Sequence, residues 1–404
     1  MRKIDVIILI LILLTPLYSG CWDSKEVNEL SIAVALGIDK NDDMGFTVSV
    51  QVLNAAEVAP SSIGGGGGYD TPVTTYTATG DILYEALRKL TKQLPHRVYL
   101  AHLRMIIIGE EVAKEGVYNT IDFLSRDPSM RNDVYMAVSK NCTAKDVLEV
   151  LTSTEKIPAN KLLDTLETSS NSWASISKVT ITDFIDDIEG EGTQPFLPAV
   201  RILGELEKGS ETNNVQNIKP FTSLAFDGIA AFRKDKMIDW LEEEESIGLN
   251  YVKGKVKNTI IVTKINKGHV GIELINSTSV VTPLFSGSEF PTIQITISGE
   301  ANVAEVNSNL DLMSGNIFSE LEAKTNECIE DTVTEIINKS QDTYRTDIFG
   351  FGHKIYKKSP KKWKEIKKDW TEIYPEIKIE VSSNIKIKGM GSINNLSHHQ
   401  LIKE

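Results

Sequence analysis

Two hydrophobic periods, two and about 3.6 residues, take turns along this chain, and the places where they change over mark out its elements. Residues 31–39 and 46–52 are rich in β-branched and apolar types, the second stretch alternating strictly. Residues 41–45 between them supply Asn, Asp and Gly, so the pair predicts a β-hairpin. From Thr71 onward strand and helix patterns alternate. Strands are expected at 73–78, 98–108 and 133–138, and helices at 81–92, 110–124 and 143–152. Gly80-Asp81 ahead of Ile82, Leu83, Ala86, Leu87 and Leu90 predicts an N-cap at Asp81 and one apolar helix face that packs on a sheet.

The middle of the chain is less periodic. Residues 168–172 and 190–194 read as loops, and 203–219, rich in Glu, Ser and Asn, reads as a linker. A second hairpin follows, with strands at 227–232 and 237–241 joined by 233–236, and further strands are expected at 259–262, 270–274 and 292–299. A long amphipathic helix is predicted over 312–344, where Ile317, Leu321, Cys328, Ile329, Val333, Ile336 and Ile337 recur at helical spacing. Ser359-Pro360 reads as an N-cap and first helical residue, with Trp363, Ile366 and Trp370 forming one apolar stripe beyond it. A last strand is expected at 377–387. The fold class is therefore α+β and multi-domain, with length for two or three domains of about 100–200 residues, mixed α/β units, β-hairpins and the long helix near the end.

The beginning of the chain has a different character. Arg2 and Lys3 precede an unbroken apolar run of 9 residues, 6–14, and Ser19-Gly20 lead into Cys21. A membrane-spanning helix needs about 20 apolar residues, so this run is a signal-peptide core. Cys21 is the expected lipid-attachment residue and the first residue of the mature chain. The small pair before it fits a lipobox, although Tyr18 stands where Leu is usual; a cleaved signal without lipidation is the alternative. A thioether-linked diacylglycerol inserts two acyl chains, about what stable anchoring requires at ~0.8 kcal/mol per buried CH₂. The expected segments are a signal peptide at 1–20, an N-terminal α/β region at 21–202 with a subdomain break near 152–195, a linker at 203–220, a C-terminal α+β domain at 221–391, and a polar tail at 392–404. Five glycines at 64–68 predict a flexible loop and do not continue into a dinucleotide-binding turn.

Net charge of −13 over 404 residues argues against nucleic-acid binding. Against that background residues 354–368 hold eight lysines and one acid, Glu365. The cluster reads either as a solvated helix face or as a contact for lipid phosphates or an acidic partner, worth about 1 kcal/mol per lysine beside an anionic surface. The acidic run 242–245 reads as an exposed turn. Cys142 and Cys328 read as two buried thiols, with a disulfide as the alternative, and no Cys/His spacing suggests a metal. Ser-x-x-Lys occurs three times, at 153–156, 175–178 and 383–386, without Ser-Asp-Asn or Lys-Thr-Gly to complete a site. His96 and His102 read as ordinary packing or surface residues, and His398-His399 as part of the tail. No catalytic, cofactor-binding or metal-ligating residue is assigned, and the chain is not expected to be an enzyme.

Several stretches together resemble the Ger(x)C family, the lipoprotein C subunits of nutrient germinant receptors in spore-forming bacteria. They are Cys21-Trp-Asp23 with Glu26-Val-Asn-Glu29; Gly37-Ile-Asp39; Ala101-His-Leu103 before Ile106-Ile-Ile-Gly-Glu110; and Asp122-Phe-Leu-Ser-Arg-Asp127 with Arg131. Phe226-Asp-Gly-Ile-Ala-Ala-Phe232 with Lys236, Trp240-Leu241 and Glu245 is similar to the family's middle signature, and Asp347-Ile-Phe-Gly-Phe-Gly352 with Trp363 and Trp370 to its last. The five-glycine run and the lipobox position depart from the pattern. The resemblance implies a three-domain α+β protein without catalysis, anchored through Cys21 to the outer face of the spore inner membrane and associated with a multi-span A subunit and a transporter-like B subunit. An extracytoplasmic solute-binding lipoprotein that delivers a nutrient to a transporter is the alternative reading. An envelope hydrolase acting on cortex or wall is a third.

Overall fold

The structure, a computed structural model, describes residues 30–41, 45–54, 71–265, 268–285, 290–307 and 316–389. Cys21, the Cys-Trp-Asp start, the five glycines, the tip of the first turn, the beginning of the 312–344 helix and the polar tail lie outside the described residues.

Two sheets organise the rest. The first opens with β1 (Leu30–Lys40), β2 (Phe46–Leu53) and β3 (Val73–Gly80), an antiparallel meander. After α1 (Leu83–Lys89) come β4 (Arg97–Tyr99) and β5 (Met105–Ile108), both parallel to β1. Then follow α2 (Glu110–Glu115), α3 (Tyr118–Arg126), β6 (Tyr135–Ser139), α4 (Ala144–Glu149), α5 (Pro158–Ser172), α6 (Ile181–Glu189) and β7 (Phe196–Gly204). β1, β5, β6 and β7 all run the same way. Residues 205–221, with the short α7 (Asn213–Gln216), connect β7 to β8 (Thr222–Arg233), which pairs antiparallel with β7 and with β9 (Lys236–Leu241). This sheet thus draws strands from both sides of residues 203–220, in the order β3-β2-β1-β5-β6-β7-β8-β9. Asn214, 1% exposed, pins the connection: its amide donates to the Leu151 and Thr222 carbonyls and accepts the Thr222 N–H.

Both faces of the central strands are buried, which explains why 105–108 reads as a continuous apolar run. Ile106, Ile108, Met136 and Val138 face one core, with Ala113 and Leu124 of α2 and α3 and Phe184 of α6. Met105, Ile107 and Ala137 face the other, with Val147 of α4 and Leu162 and Leu166 of α5. Each large apolar side chain among them contributes roughly 1.5–3 kcal/mol through burial.

α8 (Glu243–Lys253) leads to the second sheet, β10 (Thr259–Ile265), β11 (Gly268–Leu284) and β12 (Thr292–Asn307), an antiparallel meander. α9 (Ile317–Lys339), continued by a π turn at Ser340–Tyr344, packs on this sheet. Of the residues that the helical spacing singled out, Ile317, Leu321, Ile329, Val333, Ile336 and Ile337 are buried, while Cys328 is only half-buried and the buried face also takes in Thr325. α10 (Phe351–Lys358), α11 (Pro360–Ile366) and α12 (Trp370–Ile373) follow, and β13 (Ile379–Gly389) closes the sheet parallel to β12. The architecture is the expected α+β one. Among the described residues no helix is long and apolar enough to cross a membrane.

Several expected elements take a different form. The 98–108 strand is two strands separated by a turn: Leu100 and Leu103 enter the core, and pairing with β1 resumes where the Arg104 N–H donates to the Val34 carbonyl. The 110–124 helix breaks at Gly116, whose φ of 132° no other residue adopts readily, and the Val117 N–H then bonds the Asp235 carbonyl. Asp81 does not cap α1. Instead Glu85 reaches back to accept the Asp81 N–H, and Ile82 holds the cap position. Residues 168–172 are the last turn of α5, carried by Pro158 at its first position and by buried Leu162 and Leu166 despite the poor helix propensity of the Thr, Ser and Asn residues there. The acidic run 242–245 is the cap and first turn of α8, where carboxylates offset the unpaired N–H groups and the helix dipole. β11 and β12 run well past the expected 270–274 and 292–299, since their outer halves are polar, bulged and half-exposed. α10 lies where no element was expected.

Candidate functional site

The Gly37–Asp39 stretch, Glu110 and the middle and last signatures fall in two polar networks at opposite ends of the parallel strands of the first sheet. The first lies at the carboxyl ends of the parallel strands. Asp39, last but one in β1, is buried and accepts the Ala144 and Lys145 N–H groups at 2.7 and 2.9 Å, so it caps α4 alongside the Thr143–Asp146 capping box. Burial raises its pKa, and the two backbone donors oppose that rise. Gly109 is required beside it, because a Cβ there would lie 2.4 Å from the Asp39 Oδ1.

One strand along, Lys140 follows β6 and is only 8% exposed. Its ammonium meets Glu242 at 3.1 Å, Asp227 at 3.8 Å and the face of Trp240 at 5.5 Å. Asp227 also pairs with Arg201 of β7 at 3.1 Å. The Trp240 indole N–H donates to Glu110 at 3.2 Å, and the Asn141 N–H and Lys114 also reach that carboxylate. Burial pushes Glu110 up, but these three donors outweigh it and hold its carboxyl below the usual range. Glu242 and Glu245 close a capping box on α8, and Glu245 accepts Lys339 of α9 at 2.5 Å. The start of α2 just past β5, the middle signature and the long helix are thereby joined through Glu110, Asp227, Trp240 and Glu245.

The second network lies at the opposite edge, where the loop 190–194 enters β7. Asp347, 4% exposed, accepts the Gly350, Phe351 and Gly352 N–H groups at 2.9, 3.0 and 2.7 Å and the Trp370 indole N–H at 3.2 Å. Its carboxylate serves the amino end of α10. Burial raises its pKa against the pull of these donors and of Lys253. Trp363 packs edge-on against Trp370 at 5.4 Å and donates to Glu191 at 2.7 Å; Lys367 pairs with the same carboxylate. The His353 N–H bonds the Gly192 carbonyl. A Cβ on Gly352 would lie 2.7 Å from the Trp363 ring, so this helix and ring stack only with glycine there.

The chemistry of both networks is structural. Their carboxylates are taken up by backbone N–H groups, indoles and ammonium groups, and within them no nucleophile stands beside a base. Among the described residues no group of His, Cys, Asp and Glu could hold a metal ion. The Ser-x-x-Lys matches do not form a site: Ser153 and Lys156 are exposed, Lys178 lies over Tyr135, and Ser383 bonds Asn326 while Lys386 pairs with Glu322. His96 and His102 are exposed, and Cys142 and Cys328 are free, half-buried thiols. All eight lysines of 354–368 are exposed on α10, α11 and the turn after them, while Trp363 points into the core. Lys140, Glu191 and Asn214 carry key contacts that no motif marks; each stands beside polar or glycine neighbours that give no signal of its role.

Comparison with known proteins fixes what this scaffold is. Residues 23–202 match the family described as spore germination protein N-terminal domain, and residues 227–391 match the C-terminal family described as spore germination B3/GerAC like. This chain belongs to the Ger(x)C family of spore germination proteins. Spore germination protein KC of Bacillus subtilis is 30% identical over 98% of this chain and 97% of its own length. Spore germination protein B3 of the same organism is 24% identical over 93% and 95%. The crystal structure of the GerBC protein has the same fold, with a TM-score of 0.56 and 19% identity over 90% of this chain and 99% of that one. In this Ger(x)C chain, the middle and last signatures are therefore the braces that join the strand ends, α8, α9 and α10.

Proposed function

We propose that this Ger(x)C protein is the lipid-anchored C subunit of a nutrient germinant receptor and acts by assembling with membrane A and B subunits. The full-length match to spore germination proteins carries this reading. Signature residues committed to bracing the fold support a role in holding surfaces in place. Cys21 tethers the chain to the outer face of the spore inner membrane through its acyl chains. The placement of the lysines fits such a tether. β1 begins at the same edge of the first sheet at which β7 starts, about 14 Å away across three strand spacings. The loop before β7 grips α10 and α11. Eight residues separate Cys21 from Leu30, where β1 starts at the edge of the sheet that carries the lysine-bearing helices.

Replacing Cys21 by Ala in the producing organism tests this. The variant is expected in the soluble fraction, with germination in response to nutrients strongly reduced. Full germination by an unlipidated, soluble Cys21→Ala protein would overturn the reading.

A further inference from the structure

A groove of about 600 Å³ runs between β10, α8 and α9. It touches six consecutive residues of β10, 259–264. Side chains alternate faces along a strand, so a groove in contact with every residue follows the backbone edge. That edge is free: β10 is the terminal strand of its sheet and pairs only with β11 among the described residues. The opposite wall is one stripe of α9, Lys324, Glu327, Cys328, Asp331 and Glu335, at spacings of three and four.

Three features show that this edge is built to be covered. Ile260 and Val262 are 39% and 60% exposed on an edge strand, where native proteins usually place charge or proline. Tyr251 and Thr259, both only 2% exposed, border the groove, and the Tyr251 hydroxyl and the Thr259 Oγ1 are buried with no hydrogen-bond partner among the described residues. The walls also carry four carboxylates, on Glu244, Glu327, Asp331 and Glu335, against Lys264 and Lys324, and Lys324 is already paired with Glu327.

We propose that this groove binds an extended, basic polypeptide segment of a partner protein, which adds to β10 as a fifth strand between the sheet and α9. Backbone hydrogen bonds to the free edge give affinity, and alternate side chains reading the acidic wall give specificity. Six residues of β10 span about 20 Å, enough for a strand of five or six residues. The proposal stands independently of the receptor assignment.

The test uses the full-length chain in mild detergent and a phage-displayed library of random twelve-residue peptides. Selected peptides should alternate Lys or Arg with β-branched residues. Bound, they should slow reaction of Cys328 with a small thiol reagent at least fivefold. Val262→Pro, which blocks an edge position, and Asp331→Lys, which reverses charge on the helix wall, should each weaken binding at least tenfold. If Val262→Pro does not fold, Asp331→Lys decides alone. Failure to enrich any peptide, enrichment of acidic or uncharged peptides, or binding indifferent to Asp331→Lys would overturn the proposal. So would protection of Cys328 in the free chain that deletion of residues 392–404 relieves, since the groove would then belong to the chain's own tail.

Discussion

At the scale of single residues, buried carboxylates do most of the joining. Asp347 receives four N–H donors and holds α10 against Trp370. Asp347→Ala leaves those donors unpaired in the core and is expected to lower stability by about 2–4 kcal/mol, read from urea unfolding. The pH dependence has a definite sign. Because burial raises the Asp347 pKa, the folded state keeps its proton at pH values where the unfolded chain has released it. From the ordinary carboxylate range up to that raised value, this group makes stability fall as pH rises. Asp347→Asn should remove that part of the slope when urea midpoints of the two proteins are compared from about pH 4 to 7; an unchanged slope would show that Asp347 does not titrate in this window. The sequence marks Asp347 through its glycine-rich neighbourhood but not through its role, since a buried cap and an exposed turn residue look alike until the helix it serves is known.

At the scale of elements, the apolar series locates helices and strands but not their interruptions. α9 is legible because its buried residues fall on one face. The break between α2 and α3 is not, since both helices turn apolar residues to the same core and the spacing passes through Gly116. Gly116→Ala would force a side chain into a φ of 132° with its Cβ 2.6 Å from the Asp235 carboxylate, at a cost of roughly 1–3 kcal/mol. Thermal unfolding measures this; a neutral substitution would mean that α2 and α3 can merge. The 98–108 stretch fails for a related reason. Residues buried on every side lose the alternation that separates a strand from a turn through the core. The acidic start of α8 is hidden because a run of glutamates reads as solvated until the helix dipole gives it a direction. The groove beside β10 leaves no linear trace at all, because its walls come from strand residues 259–264 and helix residues 324–335, far apart along the chain.

At the scale of the whole molecule, two edges of one sheet divide the work. The carboxyl edge carries the network that ties strands to α8 and α9, and the amino edge carries the start of β1, the 190–194 loop and the lysine-bearing helices. If the amino edge faces the bilayer, changing Lys357, Lys358, Lys361 and Lys364 together to Gln should weaken binding of the full-length chain to vesicles containing anionic lipid by at least about tenfold, with less effect on neutral vesicles. Equal binding to both vesicle types by the unaltered chain would place those lysines elsewhere. The family was legible from motifs spread along the chain, whereas the contacts that make them matter required the fold. The most direct test of the receptor assignment is to solubilise spore inner membranes of the producing organism in mild detergent, capture the intact chain and identify what comes with it by mass spectrometry. Recovery of a multi-span subunit together with a transporter-like one is the predicted result; recovery of the chain alone, or with an ABC-type permease, would contradict it.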